Sequence, residues 1–248
     1  MSRPAHFPAL LLTLPLATFA GAAAAQELTI SLGEDGSLAS RTLQLIVLVT
    51  VLSLVPGLAI MITCFPFLVT VLSILRMAIG LQQSPPNMLI VSLALFLTWF
   101  VMEPVFAEAW VMALKPLSEG AMGAEEAIPL ALAPFRAFMA ARVDTATFTD
   151  LAAIRAAPGT ALPELAPEAS LPLLVPSFLL SEIQRAFEIG FLIFLPFLII
   201  DLVVAAILMS MGMMMVPPAI VAMPFKLAFF VVADGWSLLA GALVRSYI

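Results

Sequence analysis

Charged side chains inside apolar segments are the residues of this sequence whose types and positions suggest chemistry. They are Glu103, Glu108, Glu188, Asp201, Lys226 and Asp234. An Asp or Lys at the centre of a membrane helix costs about 2.5 to 3.5 kcal/mol, so such residues face other protein or water. Glu108 and Glu188 stand near segment ends, where a charged head can reach the interface. Asp201 and Lys226 have long apolar runs on both sides, which favours buried ion pairing.

The spacing of Asp201 and Lys226 predicts that they lie at the same level. Asp201 stands about 13 residues before Met214, and Lys226 about 12 residues after it. If the two runs fold back as helices, a rise of about 1.5 Å per residue brings both side chains to nearly the same height. We expect Lys226 to pair with Asp201 or with an acidic residue of a neighbour, such as Glu182. Arg185 lies three residues from both Glu182 and Glu188 and can pair with either of them on one helix face.

Catalytic and metal-binding patterns are absent from the sequence. Cys64 is the single cysteine, which excludes an internal disulfide and a cysteine metal cluster. The single histidine, His6, lies in a segment that we expect to be removed, which excludes a histidine-dependent triad in the mature chain. No Gly-rich phosphate loop or Gly-x-Ser-x-Gly elbow occurs. The sequence therefore predicts a protein that is not an enzyme and needs no cofactor or metal.

Composition indicates a protein covered by lipid or by other subunits. The chain has 248 residues, of which 63% are hydrophobic and 10% charged, with a mean hydropathy of +1.15. Soluble domains carry about a quarter charged residues, so one compact core cannot bury this apolar surface. The net charge of −6 leaves no basic stripe for phosphates and argues against nucleic acid.

The N-terminus has the pattern of a cleavable secretory signal peptide over residues 1–25. Arg3 precedes an apolar run, and Ala23 and Ala25 supply the small side chains that a signal peptidase requires. Cleavage would leave the mature N-terminus outside the cytoplasm, followed by a short polar segment over residues 26–42.

The remaining pattern predicts an all-α, membrane-type fold with two long, proline-broken helical hairpins. The first covers residues 43–114 and the second 177–248. Residues 115–176 between them are expected to form a small, partly helical region on the periplasmic side, where four crossings also place the C-terminus. The hairpin turns contain Pro85, Pro86, Gly212, Pro217 and Pro218.

A methionine cluster marks the tip of the second hairpin. Its members are Met209, Met211, Met213, Met214 and Met215. On a regular helix, methionines usually fill surface without further function. At a Gly/Pro turn, however, their flexible thioethers can project into an opening and adapt to different objects. A ring of such turns would seal a pore at rest and yield to a passing polypeptide.

Several longer stretches resemble the FliP family of flagellar type III export gate subunits, which has a homologous injectisome family, SctR. The similarity extends from about residue 60 to 245. The stretches that carry it most clearly are Leu75–Asn87, Ala186–Phe191, Pro196–Val204, Gly212–Pro218, Pro224–Leu227 and Asp234–Trp236.

The resemblance implies a homo-oligomer that assembles with FliQ- and FliR-like subunits in the flagellar basal body of the bacterial inner membrane. The assembled core would stand partly on the periplasmic side and pass unfolded export substrates. The methionine turn would form a gasket around the channel. Charges between segments or subunits would be Glu182, Asp201, Lys226, Asp234 and Arg76.

Two other functions remain open at this point. The equivalent subunit of a virulence injectisome shares nearly all the quoted motifs. A small-solute secondary transporter would also place charges midway along broken helices, but it normally has internal repeats. The two hairpins show no such repeat.

Overall fold

A computed structural model describes residues 38–80, 85–157, 160–213 and 215–247. The expected signal peptide, most of the polar segment that follows it, and Met214 lie outside these residues. The chain divides into two compact units, Met1–Leu48 and Val49–Ile248, and the described part of the first is the start of a helix.

Regular secondary structure in the described ranges is entirely helical, which confirms the all-α fold class. A π-helical turn, Trp110–Leu114, joins the third and fourth helices. The helices of the described part are α1 Leu38–Met61, α2 Phe65–Ile79, α3 Asn87–Ala109, α4 Lys115–Ser118, α5 Ala124–Ala140, α6 Thr145–Arg155, α7 Leu171–Ser210, α8 Pro218–Val232 and α9 Gly235–Arg245.

Prolines inside the apolar segments interrupt the helices at some positions and not at others. Pro56, Pro104 and Pro196 lie inside α1, α3 and α7, which continue through them. A proline removes one backbone hydrogen bond, and neighbouring groups in an apolar bundle compensate for it. One break falls at residues 62–64, directly before Pro66 in the first turn of α2, where an interruption is expected from the sequence. Another falls between α8 and α9, which are bent by 63°.

Helix α7 begins earlier than the sequence pattern predicts. The sequence pattern predicts that the second hairpin begins at residue 177, but the helix already starts at Leu171. Pro172 occupies the first turn, where its missing N–H would have no helical partner. Tertiary packing also stabilises the first two turns, because Leu174 and Phe178 are fully buried in a cluster with Phe148 of α6.

The core of the second unit forms where α2 packs lengthwise on α7, with α3 beside it. Gly190 of α7 permits this approach, because a Cβ atom there would lie 2.4 Å from Cδ1 of Ile74. Helix α2 ends at Gly80, whose φ of 88° is left-handed and suits glycine. These contacts hold α2 against α7, the helix that leads into the methionine turn and carries Asp201.

Candidate functional site

The methionine turn joins α7 to α8 through a regular helix stop. Gly212 has a φ of 73°, and its N–H donates to the carbonyl of Met209 at 3.1 Å. The N–H of Met213 reaches back to the carbonyl of Leu208 at 3.0 Å. This pair of bonds is a Schellman motif, in which a left-handed glycine satisfies the last carbonyls of a helix. These two bonds hold the backbone of residues 208–213 at the end of α7.

The methionine side chains of the turn lie on its outside. Met209, Met211, Met213 and Met215 are all exposed, and Met215 is 97% accessible. Beneath them, an apolar groove of about 510 Å³ runs along α7 and α8, with Met211 and Met213 in its wall. The turn thus presents soft apolar side chains that no other part of the described chain covers.

A partly buried ion pair joins the two helices below this turn. Nζ of Lys226 lies 2.6 Å from Oδ2 of Asp201, so the structure pairs the lysine with the acid of its own hairpin. The same Nζ donates to the carbonyl of Ala78 at 3.0 Å. Ala78 stands in the last turn of α2, where carbonyls lack helical donors. Lys226, at 6% exposure, therefore links α8 to both α7 and α2.

A second buried cluster surrounds Glu182, which is 0% exposed. Nε of Arg142 lies 3.1 Å from Oε1 of Glu182, and the hydroxyl of Tyr247 donates to Oε2. The guanidinium stands 3.9 Å over the Tyr247 ring, and its Nη1 donates to the carbonyl of Ser246 at 2.9 Å. Arg142 rather than Arg185 pairs with Glu182.

This cluster brings the region between the hairpins and the end of the chain together. The Tyr247 ring meets Phe67 at 5.3 Å and stacks on Phe138 at 6.2 Å. Burial raises the pKa of the Tyr247 hydroxyl, and the Glu182 carboxylate raises it further, so the hydroxyl remains a donor at neutral pH. Sequence reasoning missed the role of Tyr247, although it is the single tyrosine of the chain.

Two further expected charges have local partners. Arg76, in the last turn of α2, donates to Oδ1 of Asn87 at the start of α3. Asp234 stands directly before α9, with a φ of 48°. Its carboxylate accepts from the Ser237 hydroxyl at 3.1 Å, and within the described ranges it forms no ion pair. Gly235 follows it because a Cβ there would lie 2.2 Å from the Phe230 ring.

Length and composition make three of the described helices able to cross a membrane, or four if the bent pair α8–α9 is one span. They are Arg41–Met61 within α1, the continuous stretch Asn87–Ser118 from α3 through the π-helical turn to α4, and Leu171–Ser210, which is α7. Among the residues that the structure describes, no group of three His, Cys, Asp or Glu side chains could hold a metal ion.

Comparison with known proteins agrees with this arrangement of apolar helices. The model of the FliP family matches residues 48–243. A protein of Caulobacter vibrioides named flagellar biosynthetic protein FliP is 48% identical over 246 residues, which cover 99% of this chain and 91% of that protein. The chain belongs to the FliP family. A FliP of Rhizobium meliloti is 48% identical over 217 residues, covering 86% of this chain and 87% of its own. The Bacillus subtilis FliP is 44% identical over 211 residues, with 84% and 93% covered.

Membership in the FliP family confirms the resemblance drawn from the sequence motifs. FliP proteins are structural components of the flagellar export apparatus and not enzymes, and this chain is one of them. The relatives named above are flagellar proteins, which favours the flagellar apparatus over an injectisome. The apolar helices agree with a membrane-embedded component.

Proposed function

We propose that this chain is a pore-forming subunit of the flagellar export gate. Several copies assemble with FliQ- and FliR-like subunits in the bacterial inner membrane, with the core partly on the periplasmic side. The assembly forms a channel for unfolded export substrates, and the methionine turns seal it. Family membership supports the export-apparatus part of this proposal.

The observation that carries the proposal is the exposed methionine turn at the end of a 40-residue helix. When copies surround a common axis, such turns supply a collar of apolar side chains. Methionine has three rotatable bonds and a polarizable sulfur, so it fills irregular gaps. A methionine collar can close around itself at rest and reshape around a polypeptide of any sequence.

The backbone that carries the methionine turn is held by hydrogen bonds and by an ion pair. The Schellman hydrogen bonds hold the backbone at Gly212, and the Lys226–Asp201 pair fixes α7 against α8 farther down. A gasket needs this combination, because its side chains must move while its backbone keeps the channel's diameter.

A leak assay tests the gasket. Cells that co-express the subunit with FliQ- and FliR-like partners should become leaky to a small membrane-impermeant dye when Met211, Met213 and Met215 are all changed to Ala. The same three changes to Leu should leak far less, because they keep most of the apolar volume. Met88→Ala is the control, since Met88 is 80% exposed but lies at the start of α3. A triple Ala variant that assembles and leaks no more than Met88→Ala would refute the gasket.

A further inference from the structure

An unpaired carboxylate stands near the middle of a helix that is apolar enough to cross a membrane. Glu103 lies within Asn87–Ser118, a 32-residue continuous helical stretch. Its side chain is exposed, and within the described ranges no hydrogen-bond donor or cation contacts it. A charge at this depth is costly unless a partner of opposite charge neutralises it.

Aromatic side chains accompany Glu103 on the same face of the helix. Phe96, Trp99 and Phe100 precede it by seven, four and three residues, which places all of them on one side. All three are exposed, with Trp99 at 63%. The Trp99 ring stacks on Phe106 at 5.3 Å, which steadies it.

A backbone acceptor lies next to the carboxylate. Pro104 stands inside α3 and has no N–H, so it cannot donate to the carbonyl of Phe100, its partner four residues earlier. The face therefore offers a carboxylate, a carbonyl without its usual donor, and exposed aromatic rings. Arginine and lysine carry several donors on one cationic head, and both are attracted to the faces of Trp and Phe.

We propose that Glu103 and the Phe100 carbonyl dock a basic side chain carried by an apolar helix of a neighbouring subunit. Trp99 and Phe100 cover that side chain and shield the pair from lipid. No Lys or Arg of the described residues forms an ion pair with Glu103, so a neighbouring subunit supplies the cation. The inference rests on the proposed assembly and identifies one contact that holds it together.

The test uses the full-length subunit co-expressed with its FliQ- and FliR-like partners and purified in mild detergent. Glu103→Gln and Glu103→Leu keep the size or the apolar character of the site but remove its charge. Either change should lower the fraction of subunit found in the complex at least about tenfold, the loss expected when one member of a buried charge pair is removed. Glu103→Lys should lower it further. Glu108→Gln, an exposed acid one and a half turns farther along α3, is the matched control and should assemble like wild type.

The outcomes separate this inference from the proposed function. Because no donor among the described residues contacts Glu103, the melting temperature of the uncomplexed subunit should not change. A loss of complex therefore reports on the contact between subunits. Wild-type assembly together with equal assembly of Glu103→Gln and Glu103→Leu would overturn the docking point and leave the pore subunit standing. Failure of the wild-type chain to assemble at all would overturn both.

Discussion

Nζ of Lys226 lies 2.6 Å from Oδ2 of Asp201, although 25 residues separate them in the sequence. The same nitrogen donates to the carbonyl of Ala78, 148 residues earlier. One cation thus satisfies a carboxylate on α7 and a helix-end carbonyl on α2. Because the methionine turn projects from α7 and α8, this junction sets where the turn stands.

Removing the lysine should destabilise the subunit. Lys226→Met keeps much of the apolar stem but leaves the Asp201 carboxylate and the Ala78 carbonyl without their donor. We expect a loss of about 2 to 3 kcal/mol, below the 3 to 5 kcal/mol of a fully buried pair, because the Asp201 side chain is 32% exposed. Thermal unfolding in detergent measures it.

Lys226→Arg is the control for this prediction, since it keeps the charge and can retain the Asp201 contact. The exchange Lys226→Asp with Asp201→Lys should recover part of the lost stability. If the double exchange recovers nothing beyond the single changes, the pair does not act as the geometry indicates.

Tyr247→Phe should loosen the end of the chain. The ring contacts with Phe67 and Phe138 remain, but Oε2 of Glu182 loses a donor while it stays buried. An unsatisfied buried acceptor costs about 1 to 3 kcal/mol. Hydrogen exchange at residues 242–247 should become faster, whereas Ser237→Ala, an exposed change near the start of α9, should leave it unaltered. Unchanged exchange in Tyr247→Phe would contradict the role given to the hydroxyl.

Gly190→Ala should weaken the packing of α2 on α7. The new Cβ would lie 2.4 Å from Cδ1 and 3.1 Å from Cγ2 of Ile74, so the side chain must shift. Overpacking of this kind costs about 1 to 3 kcal/mol. Adding Ile74→Ala should relieve part of the strain, and Gly57→Ala, where nothing lies within 4 Å, should be neutral or stabilising. Equal melting temperatures for Gly190→Ala and Gly57→Ala would argue against the close approach.

Asp144 should make the stability of α6 depend on acid pH. The backbone N–H of Thr147 donates to its carboxylate at 2.8 Å and holds the pKa of Asp144 below its usual range. A lowered folded-state pKa adds stability above the unfolded value of about 3.9, and this stability is lost as the pH falls through the folded value. Asp144→Asn should therefore lower the melting temperature at pH 7 more than at pH 3. The same difference at both pH values would contradict this, and Asp150→Asn on the exposed face serves as the control.

The fold class could be predicted from the sequence because long apolar runs permit few structures. The helix boundaries could not, because they depend on tertiary contacts. Helix α7 starts at Leu171 since its first turns cover Phe148, a contact that no local pattern reveals. The bend between α8 and α9 lies at Asp234, whose backbone is left-handed. The Phe230 ring leaves no room for a Cβ atom at the next position, which is Gly235.

The Lys226–Asp201 pair was within reach of sequence reasoning, because their distances from the turn are nearly equal and both interrupt apolar runs. The Arg142–Glu182–Tyr247 cluster was not. Its members are separated by 40 and 65 residues on elements whose packing has no sequence period. Local spacing favoured Arg185 as the partner of Glu182, and the tertiary contact with Arg142 prevailed.

Native mass spectrometry of this chain, co-expressed with its FliQ- and FliR-like partners and extracted gently, tests the central claim most directly. The pore-subunit account predicts a defined complex that contains several copies of this chain and retains both partners. A lone monomer or dimer under the same conditions, with neither partner bound, would contradict it.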